Sequence, residues 1–177
     1  MILAGLLLFS FLPCRNAFSQ KSEKLKVMTW NIRLDTPDDG MNQWQFRRDA
    51  LCDEILLRKP DVFGVQEAKS NQMTDMRKRL KGYKSIGVGR DDGKKGGEFS
   101  AVFYSKKIVK PVRSGTFWLS ETPDIPGSRG WDAACNRIVT WAEFRQKATG
   151  KHFVMLNTHF DHMGEEARVQ SALLIIK

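Results

Sequence analysis

Residues 154–162 read VMLNTHFDH, an apolar run that turns abruptly polar at Asn157, Thr158, His159, Asp161 and His162. Two earlier stretches are built the same way: VMTWNIR (27–33), which reaches Asn31, and DVFGVQEA (61–68), which reaches Gln66 and Glu67. Buried strands that deliver polar groups at their carboxyl ends are how open α/β sheets make ligand sites. An amide, a carboxylate and an imidazole from three such ends point to a metal-assisted hydrolase.

Working outward, Val27 to Ile32 alternates in a way that suits a strand with one face in a core. The run DTPDDG (35–40) is turn chemistry, and Asn42 is placed to cap a helix that runs to Lys59, where Pro60 stops it. Asp61 to Glu67 is the second strand, with Gly64 allowing close packing. Ser70 to Lys81 is the second helix, with Met73, Met76 and Leu80 on one face and Gly82 as its stop. Tyr83 to Val88 is expected to be a strand, followed by a flexible basic loop, GRDDGKKGG (89–97), and a further strand in EFSAVFYS. The loop lacks the GxxxxGK[ST] pattern of a phosphate cradle, so it reads as a hairpin connection, with Arg90, Lys94 or Lys95 as accessory substrate contacts.

Val109 to Leu119 is expected to be a strand interrupted at Gly115. Ser120 to Ala134 is a loop long enough to be functional or mobile, with Trp118 and Trp131 packing its ends. Arg137 to Phe144 alternates cleanly, a turn follows at 148–151, and Glu165 to Lys177 begins an amphipathic helix. Each polar strand end also has a plain structural reading: an amide bonded to backbone for Asn31, a solvated carboxylate for Glu67, a surface guanidinium for Arg137.

A chain of 177 residues with 41% hydrophobic content can bury one core. Ile2 to Leu12 is almost continuously apolar but too short to span a bilayer, and Ala17-Phe18-Ser19 follows as a small-x-small cleavage pattern. The expected organisation is a signal peptide at 1–19, a linker at 20–25 and one domain at 26–177, exported to the periplasm or beyond, monomeric and without a membrane span once processed. The 29 basic and 20 acidic residues make the net charge +9, which favours phosphate-bearing partners. Lys and Arg are dispersed instead of gathered on one helix, so specific nucleic-acid binding is not indicated. Cys52 and Cys135 have no neighbours at zinc-ligand spacing.

Taken together, TWNIR, FGVQEA, IGVGRDDGKKGGEFSAVFY, GTFWLSETPDIPGSRGWDAACNRIVTWAEF and NTHFDHMGEEARVQSALLI resemble the endonuclease/exonuclease/phosphatase superfamily, the group that contains DNase I, the abasic-site endonucleases, the inositol polyphosphate 5-phosphatases and the sphingomyelinases. The resemblance runs from about Lys26 to the last residue and is closest to an exported bacterial branch. It implies a mixed α/β (α+β) fold, the DNase I-like αββα sandwich, with mainly the first sheet and its helices present here. It also implies a divalent-metal-dependent phosphoesterase using Mg²⁺ or Mn²⁺ on a phosphorylated substrate, whether nucleic acid, sugar phosphate or phospholipid.

Carried over by position, the resemblance makes Glu67 the principal metal ligand with Asn31 beside it, and His159 the group that hydrogen-bonds the scissile phosphate. Glu98 becomes the acid that orients His159 as an imidazolium, and Arg137 a phosphate-contacting arginine at the start of its strand. Asp161 and His162 are left to shape the strand exit. The family's GDFN-like strand and its terminal Asp-His pair have no counterpart up to Lys177, so the resemblance also leaves open a catalytically inactive, phosphate-binding remnant with exposed apolar surface.

Overall fold

The computed structural model describes residues 24–177, so the expected signal peptide and most of the linker lie outside the described residues. The chain forms two sheets. The first has the order β1-β2-β4-β3, from β1 (Val27–Asn31), β2 (Val62–Ala68), β3 (Tyr83–Ile86) and β4 (Phe99–Ser105); the second is β5 (Val109–Trp118), β6 (Ile138–Gln146) and β7 (His152–Thr158) in sequence order. Among the described residues only β1 and β2 pair in parallel, joined by the crossover helix α1 (Trp44–Arg58); a parallel pair needs such a connection, whereas the remaining pairs are antiparallel. Helix α2 (Ser70–Arg79) follows β2, and α3 (Glu165–Ile175) follows β7. Among the described residues no helix is long and apolar enough to cross a membrane.

The period-2 alternation of β2 assigns its two faces. Phe63 and Val65 pack with Trp44, Ile55, Met73 and Met76 from α1 and α2. Val62, on the opposite face, joins Val102, Tyr104, Val109, Ala142 and Phe144 in a second core between the sheets. The result is helix, sheet, sheet in layers, the sandwich implied by the sequence. The second sheet is better represented than expected, with three hydrogen-bonded strands in place. On its outer side Val154 and Leu156 of β7 remain 54% and 43% exposed.

A buried amide also bridges the two sheets. Asn157 of β7 donates through Nδ2 to the carbonyl oxygens of Val65 and Ala101, each at 2.9 Å, and accepts from Gln66 Nε2 at 2.6 Å. Gly64 leaves room for it: a Cβ at that position would lie 2.5 Å from Asn157 Oδ1.

Several local expectations change. Asn42 does not cap α1; it ends a 3₁₀ segment, Pro37–Asn42, capped by Thr36, and the helix begins at Trp44 without a side-chain cap. Strand β5 runs unbroken through Gly115, which faces Trp141 across the pair; a Cβ there would stand 3.0 Å from the indole nitrogen, so the glycine makes room for the ring. The 89–97 loop is folded back on itself. Asp92 Oδ1 accepts the backbone N–H groups of Lys94 at 2.7 Å and Gly96 at 2.8 Å, and these hold its carboxyl below the usual range. Trp118 Nε1 donates to the Arg90 carbonyl at 2.6 Å, tying this loop to the end of β5.

Candidate functional site

Strands β1 and β2 run parallel with Asn31 opposite Gln66, so both end at one edge of the first sheet. Because β4 is antiparallel to β2, its start lies at that same edge, with Phe99 paired to Ala68. Simple alternation would send Glu67 to the helix face with Val65. A bulge between Val65 and Ala68 adds a residue, and Glu67 takes φ 63°, in the left-handed region that non-glycine residues rarely occupy. The carboxylate is thereby aimed at Asn31. Residues in this region cost on the order of 1–2 kcal/mol and persist where the surroundings over-determine them.

The surroundings here are specific. Asn31 Nδ2 donates to Glu67 Oε1 at 2.7 Å, and the backbone N–H of Leu34 donates to Glu67 Oε2 at 3.1 Å. Asn31 Oδ1 accepts the N–H of Arg33 at 3.0 Å. Burial opposes ionisation of Glu67, but the hydrogen bonds from Asn31 and Leu34 and the fields of His159 and Arg33 outweigh it and hold the carboxyl below its ordinary value. It is an anion at neutral pH with lone pairs to spare on both oxygens.

The 32–35 segment that supplies Leu34 N–H is itself held by two residues the sequence did not single out. Arg47 of α1 donates to the carbonyl oxygens of Ile32, Arg33 and Asn42. Gln72, fully buried at the start of α2, donates to the Arg33 carbonyl at 2.9 Å and accepts from the N–H groups of Asp35 and Lys69 at 3.0 and 2.9 Å. A glutamine three positions after a helix cap is half of a capping box, so Gln72 carried a signal; Arg47 carried none.

His159 follows β7 and enters the site from the second sheet. Its pKa is lowered, first by burial and then by Arg137 and Arg90, with Glu67 and Glu98 pulling the other way. The ring is neutral at pH 7, and its buried Nδ1 has no hydrogen-bond partner. This changes the expected role of Glu98. Its two oxygens accept from Arg90 NH1 and NH2 at 2.8 and 3.1 Å, so Glu98 forms a bidentate pair with Arg90 instead of orienting an imidazolium at His159.

Arg137 changes as well. It is 5% exposed, its Nε donates to Asp161 Oδ2 at 3.1 Å, and its NH2 group lies 3.0 Å from His162 Nδ1. Asp161 also accepts the N–H groups of Met163 and Gly164 at 2.9 and 2.8 Å. Burial would raise its carboxyl; those backbone bonds and Arg137 hold it far below the usual carboxylate range. Arg137 is therefore a buried partner of Asp161 and not an open phosphate clamp. The ligand atoms of Cys135, Asp161 and His162 lie within 4.8 Å of one another, but the Arg137 guanidinium already fills the cation position among them.

The structure thus brings Asn31 and Glu67 into direct contact, with His159 within electrostatic reach, and diverts Glu98 and Arg137 to other partners. A hard cation prefers carboxylate oxygen, and Mg²⁺ keeps several waters while using one or two carboxylates and substrate phosphate. An ionised, hydrogen-bonded Glu67 fits that demand.

The chain as a whole is similar to known proteins. An endonuclease/exonuclease/phosphatase of Bacteroides vulgatus is 53% identical and superposes with a TM-score of 0.84, over 86% of this chain and 58% of that one. The Bacteroides thetaiotaomicron mannosyl-6-phosphatase is 44% identical with a TM-score of 0.83, again over 86% of this chain and 58% of its own. A protein of Acanthamoeba polyphaga mimivirus is 30% identical over 165 residues, 85% of this chain and 59% of that protein. The chain thus spans somewhat under three fifths of the length of these relatives. Residues 28–175, which contain both sheets except Val27 and all the strand-end groups above, match the family model, and the chain belongs to the Endonuclease/Exonuclease/phosphatase family.

Proposed function

We propose that this chain carries the carboxylate and histidine half-site of a divalent-metal-dependent phosphoesterase whose substrate is a phosphorylated sugar. The observation that carries the reading is Glu67, ionised and fixed by Asn31 and Leu34 N–H, with His159, whose Nδ1 lacks a partner, within electrostatic reach. The 44% identity to a mannosyl-6-phosphatase favours a sugar phosphate over a nucleic acid or a phospholipid.

In this reading Glu67 would hold Mg²⁺ or Mn²⁺, with Asn31 orienting the carboxylate, and the bound cation neutralises charge that builds on a phosphoryl group under attack. His159 offers an N–H to a phosphoryl oxygen without adding a net charge. A second reading, phosphate binding without turnover, is favoured by the pairing of Arg137 with Asp161 and of Glu98 with Arg90, which engages two charges the reaction would otherwise use.

The experiment is phosphate release from a hexose 6-phosphate by the purified chain with Mg²⁺, with EDTA, and for Glu67→Gln. Metal-dependent turnover that falls at least about a hundredfold in the variant is the expected result. Phosphate binding with no turnover and no response to EDTA selects the second reading.

A further inference from the structure

Two residues at this sheet edge hold left-handed backbone without being glycine, Glu67 at φ 63° and Arg33 at φ 57°. They lie on the two chain segments that Leu34 N–H and Glu67 Oε2 join at 3.1 Å. Such conformations persist only where neighbouring groups enforce them, so the pair needs an anchor common to both segments.

Gln72 is that anchor. Its Nε2 donates to the Arg33 carbonyl at 2.9 Å, and its Oε1 accepts the N–H groups of Asp35 at 3.0 Å and Lys69 at 2.9 Å. The first two partners flank Leu34, and the third stands two residues past Glu67. One amide thus ties the exit of β1 to the exit of β2 on both sides of the Leu34–Glu67 contact. Helix capping accounts for the Lys69 bond alone; the bonds to Arg33 and Asp35 go to a different segment, which a cap does not require. Packing alone would be served by an apolar side chain, as at the neighbouring buried positions Met73 and Met76, whereas Gln72 is fully buried with its amide bonded only to site backbone. Arg47 does not duplicate the bridge, since its three hydrogen bonds all go to the 32–42 segment.

We propose that Gln72 is a positioning residue for the divalent-cation site: by joining Arg33 and Asp35 to Lys69 it keeps Leu34 N–H on Glu67 and presents the carboxylate to a cation in one orientation. This role rests on the reading of Glu67 as the metal ligand. Groups that orient a metal ligand typically contribute about 10–100-fold to metal affinity.

The test combines amide hydrogen exchange by NMR, with and without Mg²⁺, and calorimetric titration with Mn²⁺, both on the 177-residue chain. In wild type, Mg²⁺ is expected to slow exchange at Leu34, Asp35 and Lys69 together, because a cation on Glu67 and the Gln72 bridge favour the same closed arrangement. Gln72→Met, which keeps the bulk and loses all three hydrogen bonds, is expected to speed Leu34 exchange at least about tenfold and to weaken Mn²⁺ binding by about 10–100-fold. Met76→Ala controls for a merely structural loss: it truncates a fully buried side chain of the same helix, and should lower stability in urea while leaving Mn²⁺ affinity within about twofold of wild type. Protection of Leu34 alone, or of none of the three amides, overturns the bridge, and that arm decides the question even if Gln72→Met does not fold. Mn²⁺ affinity in Gln72→Met within about twofold of wild type, or an equal loss in Met76→Ala, also overturns it and leaves the reading of Glu67 standing. If wild-type chain binds no Mn²⁺, that reading fails and the role of Gln72 falls with it.

Discussion

The junction between the sheets can be tested by a double substitution at Gly64 and Asn157. In Gly64→Ala the new Cβ would lie 2.5 Å from Asn157 Oδ1 and 2.6 Å from its Cγ, inside any permitted contact. The amide would have to leave, giving up bonds to Val65, Ala101 and Gln66 in a site that is 5% exposed. Three hydrogen bonds at about 1 kcal/mol each, with the overpacking cost partly included, set the loss at about 3 kcal/mol. Asn157→Ala removes the same bonds and is expected to cost a similar amount.

The two losses share one cause, so they should not add. With Asn157 already alanine, the Cβ at position 64 meets no amide, and Gly64→Ala should then cost less than about 1 kcal/mol, leaving a coupling of about 2 kcal/mol. Urea unfolding of the four proteins, followed by circular dichroism and by tryptophan fluorescence, measures it. Additivity within about 0.5 kcal/mol would refute the account of Asn157 as the bridge and of Gly64 as the space that admits it.

Other expectations follow from the site. His159 has a folded pKa below its ordinary 6.5, so below pH 6.5 the unfolded chain binds the extra proton first; stability should fall as pH drops through that value and level off below the folded pKa, and His159→Gln should flatten this part of a stability-pH profile. Asp161, with its pKa depressed, contributes stability that is present above about pH 4 and lost as pH falls further; Asp161→Asn leaves Arg137 buried without its counter-charge and should cost about 3–5 kcal/mol in urea unfolding. Burial pushes the Cys52 thiol up to about 11, so peptide mapping after iodoacetamide treatment at pH 8 should find Cys52 unlabelled in the native chain and labelled only in denaturant.

The recurring apolar strand with a polar end was legible in the sequence at VMTWNIR, DVFGVQEA and VMLNTHFDH, because a face packed in a core demands apolar residues and leaves polar groups to the ends; of these three strands only β2 is buried on both faces. The same logic singled out Asn31, Glu67 and His159, of which the structure brings Asn31 and Glu67 into contact, and Pro60 and Gly82 marked the ends of two helices because each disfavours helix continuation. Asn157 belonged to the same polar cluster, yet its function was hidden: whether a strand-end amide faces a ligand or a second sheet depends on what packs above it.

Sequence alone determined the mixed α/β class and the strand ends, since periodicity and turn chemistry are local and each residue declares them, and its motifs carried the family resemblance, while the extent of the second sheet emerged only from the structure. Tertiary structure decided the partners. A bulge at Glu67 reversed the face that alternation assigns, Arg90 took the carboxylate of Glu98, and Asp161 took the guanidinium of Arg137. A charged side chain binds the nearest opposite charge once solvent is excluded, and which charge is nearest is set by contacts between residues far apart in the chain.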